Sequence, residues 1–451
     1  MFHRKFCITL AALLLACGAG PSIASTDAAC PTLDARALTL GQAALRAACL
    51  APARARGSAQ SREARALIDD RRAQRASQWS LQAQPSLSAQ RGLRGSVSTD
   101  TAVHDTSASL SLHVERSLWD GGARRSRLLQ AERDAAAAIL DEDTIALDTE
   151  ADFVGVWIDV RKAEAQELAT AAALVAAKAS AAAVQARVDA GDATRVELLA
   201  AQSAVAQAER ERIAAEISLS RSKGLLAVLL GWPPSEPLVL VGDDGSALAP
   251  VGDTQGAWAR HPKALAQHER VEALKAALVA ARAEGGASLS LTGQTGPNAS
   301  RSNSMGMGQR SSSQWQTSAG LSFRLPLSDG GTRAAAVARA QSQLEAALAT
   351  QVSVLRQLEE TWWRAHSDWR GALADEEASA VALRAAQLSE QAERGRYAAG
   401  AGRLTDLLQA QSDVSQRQSQ ADEARAQRLR SQTALRQAAG LSALMSSGET
   451  R

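Results

Sequence analysis

Polar and apolar residues alternate strictly in Ser109-Leu110-Ser111-Leu112-His113-Val114, in Ala319 to Leu325, and in Ser288-Leu289-Ser290-Leu291-Thr292. Ser86-Leu87-Ser88-Ala89-Gln90 is a weaker fourth case. A period of two puts one set of side chains on each face, so each stretch reads as a strand. Much longer segments lie between them. Residues 123–189 and 332–398 contain no proline and are rich in Ala, Arg, Glu and Gln. Each predicts one continuous helix of 67 residues, about 100 Å long. Shorter helices are predicted over 52–84 and 262–285, each opening at a proline suited to a first turn. Another runs over 192–230, and its counterpart ends at Gly440. Trp232 to Arg260 carries Pro233, Pro234, Pro237 and Pro250 and reads as non-helical, with Leu238 to Val241 as a small strand.

This order occurs twice. Leu118-Trp119-Asp120-Gly121-Gly122 matches Leu327-Ser328-Asp329-Gly330-Gly331 at an offset of 209. Ala190-Gly191 with Glu197-Leu198-Leu199 and Gln202-Ser203 matches Ala399-Gly400 with Asp406-Leu407-Leu408 and Gln411-Ser412 at the same offset, as Gly231 matches Gly440. Pro52 pairs with Pro262 at 210. Chance easily aligns Ala and Leu in Ala-rich helices, but not Asp-Gly-Gly and spaced glycines. The chain is therefore read as a duplication. Its segments are a signal peptide (1–24), an N-terminal periplasmic strap (25–50), a first repeat (51–231), a linker (232–260), a second repeat (261–441) and a tail (442–451). In each repeat the opening and returning helices have a combined length close to that of the long one. One continuous helix thus runs antiparallel to one broken helix, with the proline-rich linker at the break as an equatorial belt.

The expected fold is mixed α+β and mainly helical: a long antiparallel helical barrel continuous with a β-barrel that several chains build together, four strands from each. A soluble sheet with one wet face fits the alternation equally well. The leader, with Arg4 and Lys5 before an apolar run from Ile8 to Ala16, and Trp119 and Trp315 beside the strands favour the membrane. Four strands cannot close a barrel, and open edges are excluded from lipid, so the chain must oligomerise. Two copies give eight strands and a filled interior; three give twelve and room for water. Ser, Thr, His and Arg on the polar face favour three.

Composition narrows the partners. Aromatics make up 3% and the net charge is +2, which gives no footing for nucleic acid. Phosphate-binding Gly-Lys-Ser loops, Gly-x-Ser-x-Gly elbows and Cys-x-x-Cys pairs are absent, and no catalytic or metal site is expected. His261 and His268, seven apart, read as a surface pair, and Met305-Gly306-Met307-Gly308 as an exposed loop. Leu14-Leu15-Ala16-Cys17 also fits a lipoprotein box, so Cys17 is a second candidate processing point. In an oxidising compartment Cys30 and Cys49 can form a disulfide; two buried thiols are the alternative.

The order helix, hairpin, Asp-Gly-Gly, long helix, glycine tip, helix, Leu-Gly, twice over, resembles the TolC-like family of outer-membrane efflux and type I secretion channels. The most telling matches are Asp120 to Arg124 and Asp329 to Arg333, then a glycine followed by an acid and Leu-Leu at each tip. The resemblance implies a homotrimer embedded in outer-membrane lipid and reaching into the periplasm. It also implies a tunnel closed by coiled helix tips, a periplasmic adaptor, and an inner-membrane ABC or proton-driven pump. It needs no cofactor. At the tips it implies gate or constriction roles for Tyr397 and Asp406, with Arg403 beside the family's gate arginine position and Glu197 as the matching acid in the first repeat. Gln409 stands where the family has a further aspartate. Small residues around the tips, Ala190, Gly191, Ala193, Ala399 and Gly400, leave grooves for an adaptor helix. Cys49-x-x-Pro52 with Arg54 and Arg56 leans toward the secretion subgroup. A periplasmic coiled-coil spacer that is not membrane-embedded is the competing reading.

Overall fold

The computed structural model describes residues 30, 37–92, 101–242, 248–252, 254–304 and 308–444. The expected signal peptide, Cys17 and Met305-Gly306-Met307 lie outside the described residues. In chain order the elements are α1 (Leu40–Leu50), α2 (Pro52–Ala73), β1 (Gln78–Gly92), β2 (Thr101–Trp119), α3 (Ala123–Asp189) and α4 (Arg195–Leu229). A 3-10 turn (Ala257–Arg260) leads into α5 (Pro262–Ala283), β3 (Ser288–Ser304), β4 (Gly308–Arg324), α6 (Thr332–Ala398) and α7 (Leu404–Ala438). Both long helices have the expected bounds. The opening helices are shorter than expected: α2 stops at Ala73, not 84, because the chain from Gln78 already alternates as strand. Each broken partner therefore has the same make-up in both repeats, 22 residues above the break and 35 below. The small strand expected at Leu238 to Val241 is a single bridge from Leu240 to Leu38.

Local chemistry explains where the long helices begin. The Asp120 carboxylate accepts the N–H groups of Gly122 and Arg124, both at 3.1 Å. Asp329 accepts those of Gly331 and Arg333 at 3.0 and 2.8 Å. Two glycines in left-handed backbone, φ 68° and 90° in the first repeat, make the turn that lets this carboxylate reach over the helix end. Those N–H groups, Arg333 first, hold the Asp329 carboxyl below its ordinary range.

The sheet is antiparallel in the order β1-β2-β3-β4, with β1 and β4 at its edges. Its register sorts most side chains by face, with Arg116, Thr295, Arg301 and Thr317 among the polar members of the apolar one. One face carries Trp79, Leu81, Ala83, Pro85 and Leu87, then Val114, Leu112, Leu110 and Ala108, then Leu289, Leu291 and Pro297, and finally Phe323, Leu321, Ala319 and Trp315. The opposite face carries Ser80, Gln82, Gln84 and Ser86, with Ser107, Ser109 and Ser111, Gln294, Asn298 and Ser300, and Ser312, Gln314, Gln316 and Ser318. Asp105 and Arg310 lie toward one end of the polar face; His113, Glu115 and Arg324 lie toward the other. Among the described residues no protein layer covers the apolar face: Trp79 is 67% exposed, Leu87 86% and Trp315 70%. A soluble sheet would bury that face. From Phe323 to Trp315 it runs about 27 Å along the strand, of the order of the ~25 Å apolar band of an outer-membrane barrel, with aromatics at its margins.

The helices continue the sheet's edges. Above the break the packing order is α2-α3-α5-α6, and below it α4-α3-α7-α6. One side of the chain is therefore β1, α2 and α4, and the other is β4 and α6. Ion pairs line the inner seams: Arg127 with Glu284, Arg133 with Glu269 and Arg270 with Asp141 above, Lys162 with Glu423 and Arg430 with Asp159 below. The main core sits at the break. Leu38 and Leu40 pack there with Val154, Trp157, Ile158, Leu226 and Leu230 from the barrel helices, and Leu238, Leu240 and Leu248 from the linker. Each such side chain contributes about 1.5–3 kcal/mol by leaving water. Arg46 pins α1 to the end of α4, donating to the Leu230 carbonyl at 2.8 Å and lying 4.7 Å over the Trp232 ring. Cys30 and Cys49 are joined in a disulfide with Cα atoms 5.8 Å apart. The expected surface pair of histidines is split. His268 is exposed, but His261 is buried and caps α5, its Nδ1 accepting the Lys263 N–H at 3.1 Å. Burial pushes its pKa down.

Candidate functional site: the helix tips

The far end of the barrel from the sheet consists of two helix hairpins, α3–α4 and α6–α7. Each long helix stops the same way. Gly191 and Gly400 adopt φ 85° and 75°, and the following N–H groups return to carbonyls of the last turn: Asp192 to Arg187 at 2.7 Å, Ala401 to Arg396 at 2.9 Å. This hydrogen-bonded reversal needs a residue without Cβ at that position. Ala190, Gly191, Ala399 and Gly400 are exposed there, and Ala193 is half-buried.

The returning helices start differently. In the first repeat Thr194 caps α4 in a reciprocal box: its hydroxyl accepts the Glu197 N–H at 3.3 Å, and the Glu197 carboxylate accepts the Thr194 N–H at 2.7 Å. The Thr194 N–H, then its hydroxyl, hold the Glu197 carboxyl below its ordinary range. Glu197 is thus committed to its own helix end rather than placed as a partner for Arg403. In the second repeat Arg403 occupies the cap position and supplies no side-chain bond. Among the described residues Asp406, in the first turn of α7, accepts only from the adjacent Thr405 hydroxyl, at 3.3 Å. Both Arg403 and Asp406 are exposed, and among the described residues neither forms an ion pair.

Tyr397 joins the two hairpins. It is buried with Val184 of α3, Ala201 of α4, and Leu404 and Leu407 of α7. The Arg187 guanidinium lies 4.8 Å over its ring, a contact worth about 0.5–1 kcal/mol at a partly open site. Its hydroxyl has no hydrogen-bond partner among the described residues. Of the four residues expected at a gate, the structure therefore buries Tyr397 between hairpins, ties Glu197 into a cap, and leaves Arg403 and Asp406 at the surface. Sequence reasoning missed Arg187, which no local pattern couples to Tyr397. It also missed Thr194, whose Thr-x-x-Glu spacing was legible.

A model of the outer membrane efflux protein family matches residues 42–232 and 254–441, one segment for each repeat. Protein CyaE of Bordetella pertussis is 30% identical over 312 residues, 66% of this chain and 63% of that protein's length. Among solved structures, the outer membrane protein VceC of Vibrio cholerae superimposes with a TM-score of 0.73 at 18% identity, over 89% of this chain and 96% of VceC. The outer-membrane channel OprN gives 0.74 at 23%, over 89% of each chain. The open-state MtrE outer membrane channel of Neisseria gonorrhoeae gives 0.71 at 20%, again over 89% of each. These likenesses establish the fold, and the two matched segments cover nearly all the described helices and strands. The uncovered apolar face of the sheet, the paired 67-residue helices and the family match agree: the chain belongs to the outer membrane efflux protein family and sits in the outer membrane.

Proposed function

We propose that three copies of the chain close into a ring and form the passive exit duct of a tripartite export system. A periplasmic adaptor and an inner-membrane ABC or proton-driven pump complete that system. One observation carries this reading: the sheet has two unpaired edges and an uncovered apolar face, and the helices below leave the same two sides open. Closure on further copies satisfies both at once, because lipid excludes an open edge. A spacer that stays out of the membrane has no use for the apolar face. The cargo is a polypeptide, as in type I secretion, or small molecules, as in efflux. Sedimentation of the detergent-solubilised protein and conductance in planar bilayers test the reading. The expected result is a trimer that conducts; a stable monomer in detergent-free buffer defeats it.

The tips supply the gate and the docking end. Tyr397 packs the hairpins together and its hydroxyl, unpartnered among the described residues, donates to a neighbouring helix in the closed ring; Arg403 is free to pair across the ring, and Asp406 presents a carboxylate near the axis. Single links of this kind are worth about 1 kcal/mol or less, and threefold repetition multiplies them. Tyr397→Phe with Arg403→Ser should raise single-channel conductance. Asp406→Ala should weaken block by multivalent cations with little change in closure. Ala193→Trp should abolish export while leaving assembly intact. Parental behaviour of all three variants counts against these roles.

A further inference from the structure

The repeat offset of 209 relates contacts as well as residues. Within the chain, the first repeat meets the second where α3 packs along α7. Four side-chain contacts span that seam. In two of them Asp159 pairs with Arg430, and Gln411 Nε2 donates to Ser180 Oγ at 3.0 Å. Moving each residue by the offset carries Asp159 to Asp368, Arg430 to Arg221, Ser180 to Ser389 and Gln411 to Gln202. All four residue types are retained, which is not blanket similarity. The other two contacts are not kept: Lys162 and Glu423 map onto Gly371 and Ala214, and Asp148 and Gln437 onto Gln357 and Val228.

The four retained residues cannot meet inside one chain. Asp368 and Ser389 lie on α6, at one side; Arg221 and Gln202 lie on α4, at the other. All four are exposed, and among the described residues no side chain of the four has a hydrogen bond or ion pair. We infer that they are the contact between copies: Asp368 of one copy pairs with Arg221 of the next, and Ser389 accepts from Gln202 of the next. A ring of repeats that alternate around an axis must contain two kinds of seam, one within chains and one between them. The second is built on the template of the first. The two contacts also fix one antiparallel register, which sets Trp363 level with Leu225 to Leu229 of the next copy. Trp363 is 63% exposed, while its repeat counterpart Val154 is fully buried in the internal seam. Leu225 and Val228 are each 57% exposed. The Trp363 ring and this apolar patch therefore cover each other.

The inference rests on the ring proposed above, and the experiment separates the two. Full-length protein in detergent carries Asp368→Cys with Arg221→Cys, or Ser389→Cys with Gln202→Cys, and is treated with a mild oxidant. Each double variant should give bands of two and three chains on a non-reducing gel; the single variants and the parent should not. If sedimentation shows the trimer but neither double variant cross-links, the contact is wrong and the ring stands. If the parent sediments as a monomer, both fall. As a check that avoids cysteine, Asp368→Arg should speed subunit exchange severalfold, and adding Arg221→Asp should restore the parental rate. Exchange unaffected by Asp368→Arg overturns the ion pair.

Discussion

Gly296→Ala is expected to keep the protein out of the outer membrane. An ideal Cβ at Gly296 lies 1.9 Å from the Leu110 carbonyl oxygen and 2.8 Å from the Ser111 Cα. Both neighbours are backbone, so no rotamer relieves the clash. To reach 3.0 Å, strands β2 and β3 must part by 1.1 Å or more. That stretches nearby hydrogen bonds from roughly 2.9 Å to about 4 Å, past bonding distance. Each lost bond costs about 1 kcal/mol beside water and several where lipid replaces it. Overpacking adds about 1–3 kcal/mol. Against this, the stiffer unfolded chain returns at most ~1 kcal/mol. The net loss is then at least about 3 kcal/mol per chain, a large part of a typical folding free energy. Two glycines of the same sheet give a graded comparison. At Gly293 the Cβ's close contact is the Val114 Cγ1, a side chain, at 2.8 Å, with the Ser318 carbonyl oxygen at 4.0 Å; at Gly320 it meets the Thr292 Oγ1 at 3.8 Å. Outer-membrane fractionation and urea resistance in detergent should rank Gly320→Ala as parental, Gly293→Ala as mildly weakened and Gly296→Ala as defective. Parental insertion of Gly296→Ala refutes the β2–β3 register.

Thr194→Ala removes one half of the capping box and should cost about 1 kcal/mol; a fall in the urea midpoint measures it, and no change means the cap is idle. Burial holds the His261 pKa below its ordinary value, so between that depressed value and the unfolded one near 6.5 the unfolded chain binds more protons. The stability it contributes is whole above about pH 6.5 and is lost as pH falls through the folded value; melting should shift downward on acidification, less so in His261→Asn, and an identical pH profile in the two proteins rejects the assignment. The mature protein should retain the Cys30–Cys49 bond, worth roughly 3 kcal/mol in the chain-entropy model; two free thiols by mass spectrometry without reduction rule it out. If the copies meet as inferred, Gly371→Lys with Ala214→Glu installs the missing counterpart of Lys162–Glu423 and should slow subunit exchange; faster exchange counts against the register.

Strong local signals were legible in the sequence. Asp120 and Asp329 cap the long helices, and Gly191 and Gly400 end them, so both helices could be bounded from composition and a few residues. Strand interiors were legible only where a buried-type residue alternated, as at Leu110 and Leu112. Beyond them, Gln294 to Ser304 offers Thr, Gly, Asn and Ser to both faces, and only the ladder to β4 shows that it is strand. The same weakness lets the reading of α2 run on to residue 84 through Leu81 and Ala83, which lie on the exposed apolar face of the sheet rather than against a helix neighbour. His261 reads as a surface residue because nothing nearby in sequence announces the end of α7, at Gln437 and Gly440, that lies against it. At the tips, Asp406 and Glu197 were found by position, but their different engagements follow from Thr194 standing where the second repeat has Arg403. Arg187 over Tyr397 belongs to the packing of two hairpins, which no period in the chain encodes.

The polar face of the sheet has a further consequence. Between its charged ends it offers only hydroxyls and amides, from Gln82 to Ser86, Ser107 to Ser111, and Ser312 to Ser318. Such groups trade one hydrogen bond for another with water or a passing chain at little net change in free energy. Neither a fixed charge nor a greasy step marks a preferred resting place there. In the proposed duct the energy profile along this stretch is flat, and transit is a matter of friction rather than affinity. A cargo would gain nothing by stopping there, which places discrimination among cargoes in the parts of the proposed export system that the sheet does not touch.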